Sequence, residues 1–110
     1  MLLAATLAAQ LLAAACEYPD KDSKVLVAQP PNLSESFLKK EKPKGETLVN
    51  VGLDSQGKVV TTKIAKSSGN ATVDQAALEA ARASTYAPAT RNCAGVPGNY
   101  LFRVQVSPEP

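Results

Sequence analysis

The hydrophobic period changes twice between residues 47 and 106, and the order of those changes leaves few ways for the chain to fold. From Thr47 to Leu53 apolar residues recur at every second position, with Val49, Val51 and Leu53 on one face and Asn50 and Gly52 on the other. This is the pattern of a half-buried strand. Asp54-Ser55-Gln56-Gly57 offers a turn in which Gly57 can take positive φ, and Val59 to Lys66 then puts Val60, Thr62 and Ile64 on one face. Together the two segments predict a β-hairpin. Beyond Ser67-Ser68-Gly69-Asn70 the period lengthens: Val73, Ala76, Ala77, Ala80 and Ala81 recur at spacings of three and four, up to about Ser84. A helix with so narrow a stripe of small residues can sit close to a sheet. Thr72 with Gln75 three residues on reads as its capping box, and Asp74 suits the positive end of its dipole. Tyr86-Ala87-Pro88-Ala89 ends the helix, since proline disfavours helical geometry in the residue before it, and Tyr86 is expected to cover the end of the core. After a loop carrying Cys93, Gly95, Pro97 and Gly98, period two returns, with Tyr100, Phe102, Val104 and Val106 alternating against Leu101, Arg103 and Gln105.

Chain direction turns this order into an α+β fold. If the first strand points up, the second points down, the helix returns upward and the last strand points down. The last strand then lies antiparallel beside the first, giving a three-stranded antiparallel sheet of order second, first, third, with the helix packed across one face. The last strand is an edge.

The N-terminal part reads differently. Met1 to Ala15 contains only Met, Leu, Ala, Thr and one Gln, ends on Ala13-Ala14-Ala15, and has no charge before Glu17. It reads as a cleavable export signal, being shorter than the roughly 20 apolar residues that a membrane-spanning helix needs. Residues 16–44 form an arm. Glu17 to Lys24 is polar and aperiodic, and Val25-Leu26-Val27-Ala28, stopped by Pro30-Pro31, reads as an extended segment lying on the domain, with a brief edge strand as the alternative. Asn32 or Ser34 can cap a short helix through Phe37, Leu38 and Lys40, ended by Pro43 and Gly45. The domain proper covers residues 45–106, and 107–110 form a frayed tail. Cys16 and Cys93 are the only cysteines. In an exported chain an even count favours a bridge, which would close most of the domain into one loop worth about 4 kcal/mol. Lipid on Cys16, directly after three alanines, is the competing reading, and no modification of either is the third.

Composition removes several classes of function. The net charge is +2, the basic residues are scattered except for Lys39, Lys40, Lys42 and Lys44, and five aromatics without Trp give no basic, aromatic-studded face for nucleic acid. That lysine group reads as a solvated helix end. The chain has no histidine, the commonest catalytic base and metal ligand. Cys93 has no base partner, Asp54 and Asp74 fall at a turn and a helix start, and neither Gly57 nor Gly69 belongs to a phosphate-binding loop. No catalytic residue, metal, cofactor or small-molecule substrate is expected.

Val49 to Leu53, Asp54 and Gly57, Ser67-Ser68-Gly69, Val73-Asp74 with Ala76-Ala77-Leu78, and Tyr86 with Pro88-Ala89 occur in an order and spacing that resembles the TonB C-terminal domain family, over roughly residues 45 to 106. The resemblance implies the strand, strand, helix, strand arrangement reached above. It also implies a module of the bacterial envelope linked to TonB-dependent transport, in which a short segment of an outer-membrane transporter adds to the last strand by β-augmentation. Here that strand is Asn99, Tyr100, Leu101, Phe102, Arg103, Val104, Gln105 and Val106, with Arg103 either a partner contact or a guard against unwanted edge pairing. The family's energy transducers carry a histidine in an anchoring helix and a long Pro-rich spacer. With no histidine and few prolines between Glu17 and Gly45, energy transduction is not expected of this chain.

Two expectations follow. The first is a non-catalytic periplasmic binding module that pairs a partner strand with residues 99–105. The second is a secreted, disulfide-stabilised domain with a structural or interaction role of its own. Either could also dimerise through the exposed edge, and a lipid-anchored envelope protein is the alternative location.

Overall fold

A computed structural model describes Cys16 and residues 19–107. The export signal expected at 1–15, and 108–110 of the expected tail, lie outside the described residues. In chain order the elements are β1 (Lys24–Val27), α1 (Glu35–Glu41), β2 (Gly45–Leu53), β3 (Val59–Lys66), α2 (Ala71–Ala83), β4 (Thr85–Ala87), β5 (Ala89–Arg91), β6 (Ala94–Val96) and β7 (Gly98–Val106). Among the described residues no helix is long and apolar enough to cross a membrane.

The central sheet is antiparallel with order β3-β2-β7, the order that chain direction requires. Its inner face supplies Val49, Val51 and Leu53 from β2 and Phe102 and Val104 from β7, all buried. Across them lies α2, whose five stripe residues Val73, Ala76, Ala77, Ala80 and Ala81 are all buried. The alanines have no bulk to hold the helix off the sheet, so the core is thin and its large side chains come mostly from strands. Tyr86 closes one end, its hydroxyl donating to the carbonyl of Ala81 at 2.7 Å and its ring tilted against Tyr100 with centroids 5.6 Å apart.

Four details differ from the sequence reading. Val60 is 61% exposed, because the β2–β3 register shifts between Gly52 and Leu53 and sets Val59 opposite Leu53 in its place. The cap of α2 is Asn70 rather than Thr72: its side-chain oxygen accepts from the N–H of Thr72 at 3.0 Å and Val73 at 3.1 Å, while Gln75 turns to Glu79 on the helix surface. The stretch after α2 is not only a helix end and a loop. Thr85–Ala87 forms β4, and Ala89–Arg91 with Ala94–Val96 forms a hairpin whose two turn residues, Asn92 and Cys93, both have positive φ, at 53° and 66°. Such a turn matches the right-handed twist of the paired strands. Finally, most of the Val25–Ala28 run lies in β1, Lys24–Val27, which pairs antiparallel with β4.

The short helix α1 forms where expected, with Ser34 as its N-cap and its last lysines exposed. Cys16 is bonded to Cys93, with their Cα atoms 5.7 Å apart. A lipid thioether would need the same sulfur of Cys16.

Candidate functional site

The outer edge of β7 follows from how antiparallel strands aim their backbone groups. In such a strand the N–H and C=O of one residue point to the same side, and successive residues alternate. The N–H of Asp54 goes to the carbonyl of Lys58 at 2.9 Å, on the β3 side. Alternation therefore turns Leu53, Val51 and Val49 toward β7, opposite Gly98, Tyr100 and Phe102. Asn99 consequently faces away from β2, and its carbonyl accepts a 2.6 Å hydrogen bond from the Ser23 hydroxyl outside the sheet. By the same alternation the backbone groups of Leu101, Arg103 and Gln105 also aim outward.

The seven residues expected at this edge divide into two sets. Phe102 and Val104 are buried, and Tyr100 is half-buried against the core, so their side chains belong to the fold. Asn99, Leu101, Arg103 and Gln105 are exposed, with Leu101 at 51% the largest apolar group among them. Arg103 reaches across the open face of the sheet, where its Nε lies 3.1 Å from Glu46, and Lys66 approaches the same carboxylate at 3.8 Å. Exposed pairs of this kind contribute under about 1 kcal/mol. Their consequence here is directional: the guanidinium is drawn toward β2.

Sequence reasoning missed what lies beside this edge. The first part of the N-terminal arm, Cys16 and residues 20–29, runs antiparallel to residues 84–93. The bridge from Cys16 to Cys93 comes first, then the Asn92 N–H on Asp20 at 3.0 Å, then a pair of backbone bonds between Lys21 and Thr90 at 3.1 and 2.9 Å. The ladder of β1 with β4 continues the line, and the N–H of Gln29 on the Ser84 hydroxyl at 2.9 Å completes it. The other side of the arm faces β7. One cleft of about 420 Å³ lies between Asp22 and Ser23 and the start of β7, and another of about 280 Å³ lies between Ala28–Pro31 and Phe102–Gln105. The apolar run beside Pro30-Pro31 was the one available signal, and it carries no information about which strand the arm will meet.

The main polar cluster sits elsewhere, at the start of α2. Asp74 accepts from the Thr47 hydroxyl at 2.7 Å, the Ser68 N–H at 3.0 Å, the Ser68 hydroxyl at 2.8 Å, and the Ser67 hydroxyl. Burial opposes its charge, but these donors outweigh burial and bring its pKa down to about 2. The cluster ties β2, the Ser67-Ser68-Gly69 loop and α2 together, so the motif has a structural purpose. Asp54 is likewise held below the usual carboxylate range, chiefly by the backbone N–H groups of Lys58 and Gln56. Burial raises the Tyr86 hydroxyl. Among the described residues no three His, Cys, Asp or Glu side chains gather as a metal-binding group.

No curated protein matches the chain. The family described as Gram-negative bacterial TonB protein C-terminal, a non-catalytic and envelope-associated domain, matches residues 38–107. That span covers more than half of the 110 residues and includes β2, β3, α2 and β7. The chain belongs to the TonB C-terminal family.

Proposed function

We propose that this domain is a non-catalytic binding module of the periplasm that takes an extended segment of a protein partner along the outer edge of β7, in association with TonB-dependent transport. The observation that carries the reading is the outward run of backbone donors and acceptors at Asn99, Leu101, Arg103 and Gln105, on a nine-residue strand that pairs with β2 alone among the named strands. An added strand would take its affinity from those groups and its selectivity from the alternate side chains. The partner is the N-terminal segment of an outer-membrane transporter. An oxidising compartment is where the Cys16–Cys93 bridge would persist.

The test is site-directed crosslinking of the protein to that transporter segment, with Arg103→Pro as control. Proline at 103 removes an outward N–H that the ladder with β2 does not use. Capture by the natural chain and loss in the variant support the reading, and absence of capture by the natural chain ends it.

The bridge also favours a second reading, a secreted stand-alone domain stabilised by its disulfide and free to pair edge to edge with a second copy. Analytical ultracentrifugation distinguishes a concentration-dependent dimer from a monomer that binds the transporter segment.

A further inference from the structure

We propose that residues 22–31 are a displaceable cover over the β7 edge, held closed by the Cys16–Cys93 bridge at one end and the Gln29–Ser84 hydrogen bond at the other. The inference rests on the proposed binding role of β7 and adds its regulation.

The arm stands beside the edge that an added strand would use, without making the bonds an added strand would make. The Ser23 hydroxyl takes the carbonyl of Asn99, the first outward acceptor of the edge. Five residues on, Ala28 to Pro31 line one cleft with Phe102 to Gln105, so the arm follows β7 in a parallel sense. Pro30 and Pro31 have no N–H and cannot extend a ladder onto β7. The backbone bonds of β1 go to β4 instead. Proline and a covering segment are the devices by which edge strands are shielded from unwanted pairing.

Such a cover is lightly held against β7 itself. Among the described residues the arm has against β7 one side-chain hydrogen bond and two open clefts of about 420 and 280 Å³ in place of a packed interface. Leu26 and Val27 remain 57% and 54% exposed, so the arm brings little apolar surface to the contact. What holds it is the short ladder of β1 with β4, Val25 against the core, and its attachment at both ends. At one end stand the bridge and the Asp20 contacts with Asn92 and Arg91. At the other is Ser84, whose hydroxyl accepts from Gln29 while donating to Ala80 at 2.7 Å. A dithiol reductant gives two electrons to the bridge, the S–S bond breaks, each sulfur takes a proton, and the reductant leaves as its own disulfide. The arm then keeps its Asp20 and Lys21 contacts, the short ladder of β1 with β4 and the Gln29–Ser84 bond, without the covalent tie.

The experiment uses the full chain, oxidised and after treatment with dithiothreitol, together with a Ser23→Ala/Ser84→Ala double variant that keeps the bridge. Hydrogen exchange is followed at the amides of Leu101, Arg103 and Gln105, and binding is titrated with synthetic peptides copying the N-terminal segments of outer-membrane transporters. Release of the arm should speed exchange at those three amides and tighten peptide binding at least tenfold in both the reduced protein and the double variant. The double variant decides the matter if reduction unfolds the chain. Equal affinity and equal exchange in the oxidised natural chain and the double variant would overturn the cover. Faster edge exchange with no peptide bound to any form would support the cover and end the transporter-segment reading instead.

Discussion

Thr47, in the central strand, and Asp74, in the first turn of α2, are joined by a 2.7 Å hydrogen bond between hydroxyl and carboxylate. Thr47 is fully buried, and Asp74 also collects the donors of Ser67 and Ser68. Because the folded pKa of Asp74 is lowered to about 2, the folded state favours its charged form. The stability it contributes is fully present above the unfolded value near 4 and is lost as pH falls through about 2. At a partly exposed site, where solvent screens the charge, the shift contributes at most about 2 kcal/mol. Urea midpoints measured from pH 5 to pH 2 should fall in the natural protein and stay flatter in Asp74→Asn, which should start about 1–3 kcal/mol less stable through its lost hydrogen bonds. Parallel pH profiles would show that the cluster is not the cause.

The bridge spans a sequence separation of 77 residues. On the chain-entropy account, cutting a loop of that size costs about 4 kcal/mol, a large share of the stability of a domain this small. Urea unfolding of the oxidised protein against Cys16→Ser/Cys93→Ser should show a drop of that order. Intact mass should rise by about 2 Da on reduction, as two sulfurs each gain a hydrogen. An acyl mass on Cys16 would contradict the bridge.

Two glycines with positive φ should respond differently to the same substitution. At Gly69, φ 90°, an added Cβ meets nothing within 4 Å, so Gly69→Ala should cost about 1 kcal/mol, the ordinary penalty for the left-handed conformation. At Gly57, φ 83°, that Cβ would lie 2.6 Å from the backbone oxygen of Tyr86. Gly57→Ala should lose at least twice as much stability. Equal losses in thermal unfolding would mean that the turn relaxes away from β4.

Adjacent residues of β7 should separate stability from binding. Phe102 is buried at 5% exposure, and Phe102→Ala should cost about 3–5 kcal/mol. Leu101→Ala, on the exposed face, should change stability by less than about 1 kcal/mol and weaken peptide binding instead. A thermal scan and a peptide titration on the two variants check both halves.

How much of this was legible in the sequence depends on the range of the interactions involved. Val49, Val51, Leu53, Phe102 and Val104 are buried as their spacing implies, because a period of two or 3.6 is written locally and a hydrophobic face must be covered by something. Choices between near-equal neighbours were not legible. Asn70 and Thr72 are both good caps, and the loop geometry beside Asp74 selected Asn70. The exposure of Val60 comes from a one-residue register shift that leaves no mark in hydropathy.

The sequence by itself determined the order of the main elements β2, β3, α2 and β7, the α+β sheet with its helix on one face, the family, and the position of β7 as the last strand. Tertiary structure alone decided what stands beside that strand. Cys16 and residues 20–29 find their places against Ser84 to Cys93 and Asn99, contacts that span 55 to 77 positions in the chain. No periodicity encodes a contact at such a distance, since it depends on how two segments that are each locally unremarkable meet once the core has formed.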